Sequence, residues 1–179
     1  MDPTTYALCQ KSVIGPAMWI ASLCVFPPLF AHVPLSLETE GFSVSQEFSA
    51  PVDRKYNLTL TFEFPTTAER LNDEILGSRY EARCEGRVED IPQENAFGLG
   101  RKIPFRVVVR RKQDSSVVVE KEFVSWCVTS AGSKTKTRSI GWLELNKGEY
   151  IAEVVNIAAQ DGLGSIHTTI SLVPGGSGK

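Results

Sequence analysis

An all-β fold, an antiparallel β-sandwich with Ig-like layering and one short helical insertion, is what this sequence predicts. Three observations carry the prediction. Apolar and polar residues alternate with period 2 through most of the chain past Glu38, as they do in strands with one buried face. Clusters of Asn, Asp, Ser and Gly separate those runs and supply turn chemistry. Only one stretch carries a helix-start signal, whereas a parallel α/β sheet needs helices at its crossovers. With 179 residues, 42% hydrophobic and 22% charged, the chain can fill one core, which excludes disordered and collagen-like classes. A net charge of −2 supplies no global field toward nucleic acid or an anionic membrane, so no nucleic-acid partner is expected.

Residues 1–31 read as a signal peptide or N-terminal anchor. From Val13 to Val33 the chain is uncharged and mostly apolar, and Lys11 is the only basic side chain before it; a basic start, an apolar run and small residues are the layout of a secretory signal. Pro16, Pro27 and Pro28 interrupt the run, which argues for cleavage, placed after Ala31, over a continuous spanning helix of about 20 residues. An uncleaved anchor is the alternative. Leu23 before Cys24, and Val25-Phe26-Pro27 after it, fit a bacterial lipidation site poorly.

Cys9 and Cys24 would leave with the signal. Cys84 and Cys127 then remain as an even pair in an oxidising compartment, candidate disulfide partners. Closing a loop of that length would stabilise the fold by about 4 kcal/mol. Two separate buried thiols are the alternative, because Cα separation cannot be read from sequence. The absence of a Cys-x-x-Cys and the shortage of histidines argue against zinc.

Phe42, Val44 and Phe48 alternate with polar residues, and Tyr56, Leu58, Leu60, Phe62 and Phe64 form a longer alternating strand that Pro65 ends. Thr66-Thr67-Ala68-Glu69 reads as a capping box opening a short helix, with Leu71 and Ile75 one turn apart and Gly77 placed to stop it. From Ser78 to Asp90, Arg79, Arg83 and Arg87 interleave with Glu81, Glu85 and Glu89, a pattern of an exposed helical face or a solvated loop. Ile91 to Gly100 reads as a loop.

Ile103–Arg111 carries Phe105, Val107 and Val109 on one face and Arg106, Val108 and Arg110 on the other, and Gln113-Asp114-Ser115-Ser116 turns it into Val117–Trp126, a hairpin. A polar loop with Gly132 follows, then a strand through Ile140–Leu145, the turn Asn146-Lys147-Gly148-Glu149, a strand Tyr150–Ile157, the turn Asp161-Gly162-Leu163-Gly164, and a strand Ser165–Val173. The short turns predict two further antiparallel pairings. One domain over 32–174 results, with 175–179 a flexible Gly/Ser tail.

Chemistry is sparse. His167 lies in a predicted strand on the side opposite Ile166, Thr168 and Ile170, as a solvent-facing or structural histidine rather than a general base. No nucleophile elbow, zinc-protease motif or Cys/His pair occurs. Gly98-Leu99-Gly100 lacks the third glycine of a dinucleotide fingerprint, and Gly176-Ser177-Gly178-Lys179 is only half a phosphate loop. Glu120 and Glu122 share a strand face as solvated charges, and the Asn57-Leu58-Thr59 sequon sits in a strand, where chance explains it. No catalytic residue, cofactor or metal is expected. Arg101, Lys102, Arg106, Arg110, Arg111 and Lys112 gather around the hairpin, and Lys134, Lys136 and Arg138 near a later strand. If adjacent, they make a positive face for an acidic protein surface or lipid headgroups; a solvated sheet face guarded against edge pairing is the plainer account. Trp126 and Trp142 read as core residues first and binding anchors second. Arg106, Arg110, Trp126 and Trp142 are therefore the candidate partner-binding residues.

The YNLTLTFEF strand, the segments Arg70-Leu71 and Leu76-Gly77, Lys102-Ile103-Pro104-Phe105-Arg106-Val107, and Leu143-Glu144-Leu145-Asn146-Lys147-Gly148-Glu149-Tyr150 together resemble a proteobacterial family of exported proteins defined as a domain of unknown function, numbered fifty-six twenty-five. The resemblance runs from Tyr56 to Leu172, and order and spacing carry it. It brings no established activity, cofactor or catalytic residue, and the cysteine pair is not part of it. Small exported β domains of this kind look similar to the antitoxin partners of secreted interbacterial effectors, so the resemblance implies an immunity-type setting, although a shared fold does not fix function. The expectation is a non-enzymatic exported domain in the periplasm, or anchored in the inner membrane and facing it, that binds another protein such as a secreted toxin. Contact with the membrane is expected only through an uncleaved N-terminal segment. An envelope structural or carbohydrate-binding module is the alternative, and an exposed stacking platform at Trp126 or Trp142 would favour it.

Overall fold

A computed structural model of the chain describes residues 27–84 and 90–175. In chain order it contains β1 (Phe30–Pro34), β2 (Ser43–Ala50), β3 (Arg54–Glu63), α1 (Thr67–Asn72), β4 (Ile103–Arg111), β5 (Val117–Ser125), β6 (Val128–Ala131), β7 (Thr135–Leu145), β8 (Gly148–Asn156) and β9 (His167–Pro174). One sheet runs β1-β9-β3-β7-β6 and the other β2-β8-β4-β5; every pairing in both is antiparallel.

Period 2 explains the layering. Tyr56, Leu58, Leu60 and Phe62 of β3 project from one side of the five-stranded sheet, Phe105, Val107 and Val109 of β4 from one side of the four-stranded sheet, and all are buried in a common cluster with Leu143, Ala152, Val154, Ile170 and Leu172. Polar alternates point outward. Val108, outward on β4, is nonetheless 3% exposed, because its strand lies between β8 and β5 and long side chains flank it.

Three sequence expectations change in the folded chain. The helix is shorter than its apolar spacing suggests: Thr66 caps it, its Oγ1 accepting the Glu69 N–H at 3.1 Å, but it ends at Asn72, leaving Leu71 65% exposed. Asp73 intervenes, its carboxylate accepting the N–H groups of Ile75 at 3.2 Å and Leu76 at 3.1 Å and so offering the backbone an alternative to helix. The stretch expected as a polar loop holds β6, paired with β7, and β7 itself begins at Thr135 rather than near Ile140. The turns after Leu145 and Asn156 do not close hairpins. β8 crosses to the other sheet to pair with β2 and β4, and β9 returns to pair with β1 and β3, since both edges of β7 are already taken by β3 and β6. β1 begins at Phe30: Leu29 donates its N–H to the Leu172 carbonyl at 2.8 Å, and Phe30 is buried against Phe48 with ring centroids 5.7 Å apart. The rest of the N-terminal apolar run, with Cys9 and Cys24, and residues 176–179 of the tail lie outside the described residues. Among the described residues no helix is long and apolar enough to cross a membrane.

Candidate functional site

Between β3 and β4 the chain makes a long excursion, Phe64 to Lys102, whose attachment uses residues the sequence placed elsewhere. Lys136 and Arg138 are paired in register with Phe62 and Leu60, and so they point inward. Lys136 Nζ donates to the Asp73 carboxylate at 2.7 Å and to the carbonyls of Asp73 at 3.0 Å and Gly77 at 2.7 Å. Arg138 donates to the carbonyls of Arg101 at 2.7 Å, Leu99 at 3.4 Å and Leu76. Burial pushes its pKa down to about 9 while Asp73 pulls it up, so at neutral pH the guanidinium stays charged and keeps its donors. The inner face of β7 thus stitches both ends of the excursion to the sandwich.

Two glycines allow that approach. Gly77 and Gly100 both have positive φ; a Cβ on Gly77 would lie 2.5 Å from the Gly98 oxygen, and one on Gly100 would overlap the Leu76 carbonyl carbon. Gly77 therefore serves a backbone contact rather than stopping the helix. Cys84 and Cys127 are joined as a disulfide with Cα atoms 5.8 Å apart; they pack with Ile91, Leu99 and Trp126 into a second small cluster. Trp126 is 5% exposed, donates Nε1–H to the Gly100 carbonyl at 2.7 Å and carries Lys102 Nζ 4.2 Å above its ring. It is a packing residue. Glu81, Arg83 and Arg79 brace the loop: Arg83 pairs with Glu81 at 2.9 Å and holds that carboxyl below its ordinary value, and Arg79 donates to the Asn95 carbonyl. The segment expected as a helical face or solvated loop is a loop with a single 3-10 turn, Ala82–Cys84, up to residues 85–89, which lie outside the described residues.

The nine cations do not form one positive face. β4 and β7 belong to opposite sheets, Lys136 and Arg138 are interior, Arg101 donates to the Asp161 carbonyl and Lys134 to the Pro65 carbonyl. Arg106 and Arg110 do stand on the outer face of the four-stranded sheet, but in a mosaic of both signs. One cross-strand row reads Ser43, Val155, Arg106, Glu122; the next reads Ser45, Glu153, Val108, Glu120. Arg106 pairs with Glu120, and Lys112 with Glu47 at 2.5 Å. The hydrogen bond from Arg106, then its charge and that of Arg110, hold the Glu120 carboxyl below its ordinary value.

Trp142 is half-buried on the outer face of the other sheet, in register with Asn57. That face is rich in hydroxyls: Thr61 and Thr137 approach to 3.3 Å, and Ser139 donates to Asn57 Oδ1 at 2.6 Å. His167 is exposed at the start of β9 opposite Glu63. Among the described residues no group of three His, Cys, Asp or Glu side chains comes together as a metal site. Asp73 and Phe97 were missed from sequence, and Lys136 and Arg138 were given a solvated face instead of an interior place; the glycines at 77, 98 and 100 were the visible signal, since paired glycines mark close backbone approach.

Two antiparallel sheets packed face to face, with one braced excursion, define a β-sandwich domain. The chain belongs to the family described as a domain of unknown function, DUF5625, whose match spans residues 32–174. A protein of known crystal structure from Sulfurospirillum deleyianum is similar in fold: 19% identical, with a TM-score of 0.62 over 84% of this chain and 99% of that one. None of the curated proteins compared with the chain matches it.

Proposed function

We propose that this is an exported, non-enzymatic protein-binding domain with Ig-like layering, carried to the periplasm by its N-terminal segment as a signal peptide or anchor, and specifically an immunity-type protein that occupies a secreted interbacterial toxin. The observation that carries the protein-binding part is the outer face of the four-stranded sheet, where Arg106, Arg110, Glu120, Glu122 and Glu153 alternate in sign across three strands. Such a flat mosaic favours a protein surface of complementary pattern, because charge pairing sets orientation and rejects wrong partners. The Cys84–Cys127 bond supports an oxidising compartment. Copurification with the product of a neighbouring toxin gene, and protection of cells that express it, is the test; no complex with any such toxin, at micromolar concentrations of both, counts against it. A second reading, an envelope structural or carbohydrate-binding module, is favoured by Trp142 on its hydroxyl-rich face. Glycan binding abolished by Trp142→Ala would favour that reading over the first.

A further inference from the structure

A β-sandwich leaves two strand edges on each of its sheets, and every edge offers unpaired backbone N–H and C=O groups to another chain. Among the described residues the edge strands are β1 and β6 of one sheet and β2 and β5 of the other. Three of them are blunted. β1 has five residues, a register shift, a positive φ at His32 and Pro34 at its end. β6 has four residues. β5 sets Lys121 opposite the buried Val107, and so on the core side, where its amine stays exposed over the Phe123 ring; an inward-pointing charge at an edge opposes pairing. β2 carries none of these devices along its eight residues, and its one charge, Glu47, is met by Lys112 at 2.5 Å.

The free edge of β2 is well defined. Asn156 donates its N–H to the Phe42 carbonyl at 2.9 Å, which sets the alternation: Val44, Gln46, Phe48 and Ala50 turn their backbone polar groups toward β8, and Ser43, Ser45, Glu47 and Ser49 turn theirs off the sheet. Gln46 Nε2 accordingly reaches the Glu47 carbonyl at 2.9 Å. Val44, Gln46, Phe48 and Ala50 lie opposite Val154, Ala152, Tyr150 and Gly148 and so on the core side. At this rim the core is incompletely covered, with Phe42 38% exposed and Val44 only half-buried.

We propose that β2 is the seam of a homodimer, pairing antiparallel with the β2 of a second copy about a two-fold axis through Gln46 and perpendicular to the sheet. The sequence of the strand is self-complementary in that register. On the outer face Ser45 lies opposite the partner's Glu47 and Ser43 opposite the partner's Ser49, each pair exchanging two N–H···O bonds. On the core face Val44 lies opposite the partner's Phe48 and Phe42 opposite the partner's Ala50, which covers the exposed rim. The two Glu47 carboxylates meet only diagonally, each beside its own Lys112. The same operation on β5 centred on Lys121 would set Glu120 against the partner's Glu122, and like charges directly opposite are destabilising. Faces are preserved by such an axis, so the charge mosaics of both copies would share one side of a continuous sheet. The dimer does not depend on the protein-binding reading above.

Sedimentation velocity and light scattering on the mature protein, up to about 300 μM to cover a weak interface, should show a monomer–dimer equilibrium. Ser45→Pro removes an N–H that the monomer leaves unused, once in each copy, and should weaken the dimer by about 30-fold or more, while the dilute monomer keeps its melting temperature. Ser45→Glu puts like charge opposite the partner's Glu47 and should weaken it by about 3- to 10-fold, and Ser45→Lys should tighten it by about 3-fold, both effects shrinking in high salt. The Glu and Lys variants decide the matter if Ser45→Pro does not fold. A monomer throughout that concentration range overturns the proposal. So does a dimer that these variants leave within about 2-fold of wild type, since its contact then lies elsewhere. A wild type that stays monomeric, yet binds the toxin encoded beside it in a way that Ser45→Pro abolishes, would assign the edge to a strand of that partner and likewise overturn the homodimer.

Discussion

Arg138 has no exposed surface, and its guanidinium reaches carbonyl oxygens from three residues that lie far from it in sequence. Replacing it by methionine keeps most of the volume and leaves those buried oxygens without their donor, which costs about 1–3 kcal/mol per unsatisfied group. Arg138→Met should therefore lower stability by about 3 kcal/mol or more in urea unfolding; a loss under about 0.5 kcal/mol would mean that water replaces the donor freely. Gly100 and Gly98 offer a sharper contrast. Both have positive φ, but a Cβ on Gly100 overlaps the Leu76 carbonyl carbon, whereas one on Gly98 meets only the Arg79 Cβ at 3.6 Å. Gly98→Ala should cost about 1 kcal/mol of backbone strain, and Gly100→Ala clearly more, by differential scanning calorimetry on the two variants. Of these residues only the glycines were conspicuous in sequence. Lys136 and Arg138 looked like solvated charges because residue type alone favours exposure, and the carbonyl cage that overrides this preference comes from a segment some 40 to 60 positions away.

At the scale of elements, long strands with a clear alternation or a turn signal beside them were legible, and short or hidden ones were not. β3 and β4 have one strongly apolar face each, so alternation exposed them; β6 is four residues long with a mostly exposed pattern, too short for a period to show. β1 was hidden by its own apolar run, which reads equally well as part of an export signal. Its contribution can be measured. A chain beginning at His32 loses Phe30 from its site against Phe48 and the Leu29 hydrogen bond to Leu172, and should be less stable than one beginning at Pro27 by about 3 kcal/mol. Equal denaturation midpoints for the two would show that β1 contributes little. The disulfide makes a separate element-level prediction. It closes a separation of 43 residues, so the Cys84→Ser, Cys127→Ser double variant should lose about 4 kcal/mol at most. Amide exchange should rise first in the excursion, which the bond ties to the corner between β5 and β6.

Across the whole molecule, three carboxylates in different places, on the outer sheet face, in the β4–β5 turn and in the excursion, shape the response to acid. Arg106 holds Glu120, Arg83 holds Glu81, and the Ser116 hydroxyl and N–H hold Asp114 below the ordinary carboxylate range. Because the folded values are depressed, the stability these groups add is present above the unfolded carboxylate values and is lost as pH falls through the folded ones. Asp114 and Glu120 are exposed and Glu81 is only partly buried, so the effect is small. The urea midpoint should decline gently from about pH 6 toward about pH 3, and Arg106→Gln should flatten part of that decline; a rise on acidification would contradict the assignment of these pairs.

Composition, alternation and turn chemistry determined by themselves that this chain is an antiparallel β protein with one capped helical turn, and which residues of its longest strands face the core, since side-chain direction in a strand is a local property of the backbone. Strand neighbours, the inward course of Lys136 and Arg138, the joining of Cys84 to Cys127 and the edge position of β2 were decided only in the folded molecule. Each depends on which distant segments meet, and the free energy of such a meeting belongs to no window of the sequence short enough to carry a period.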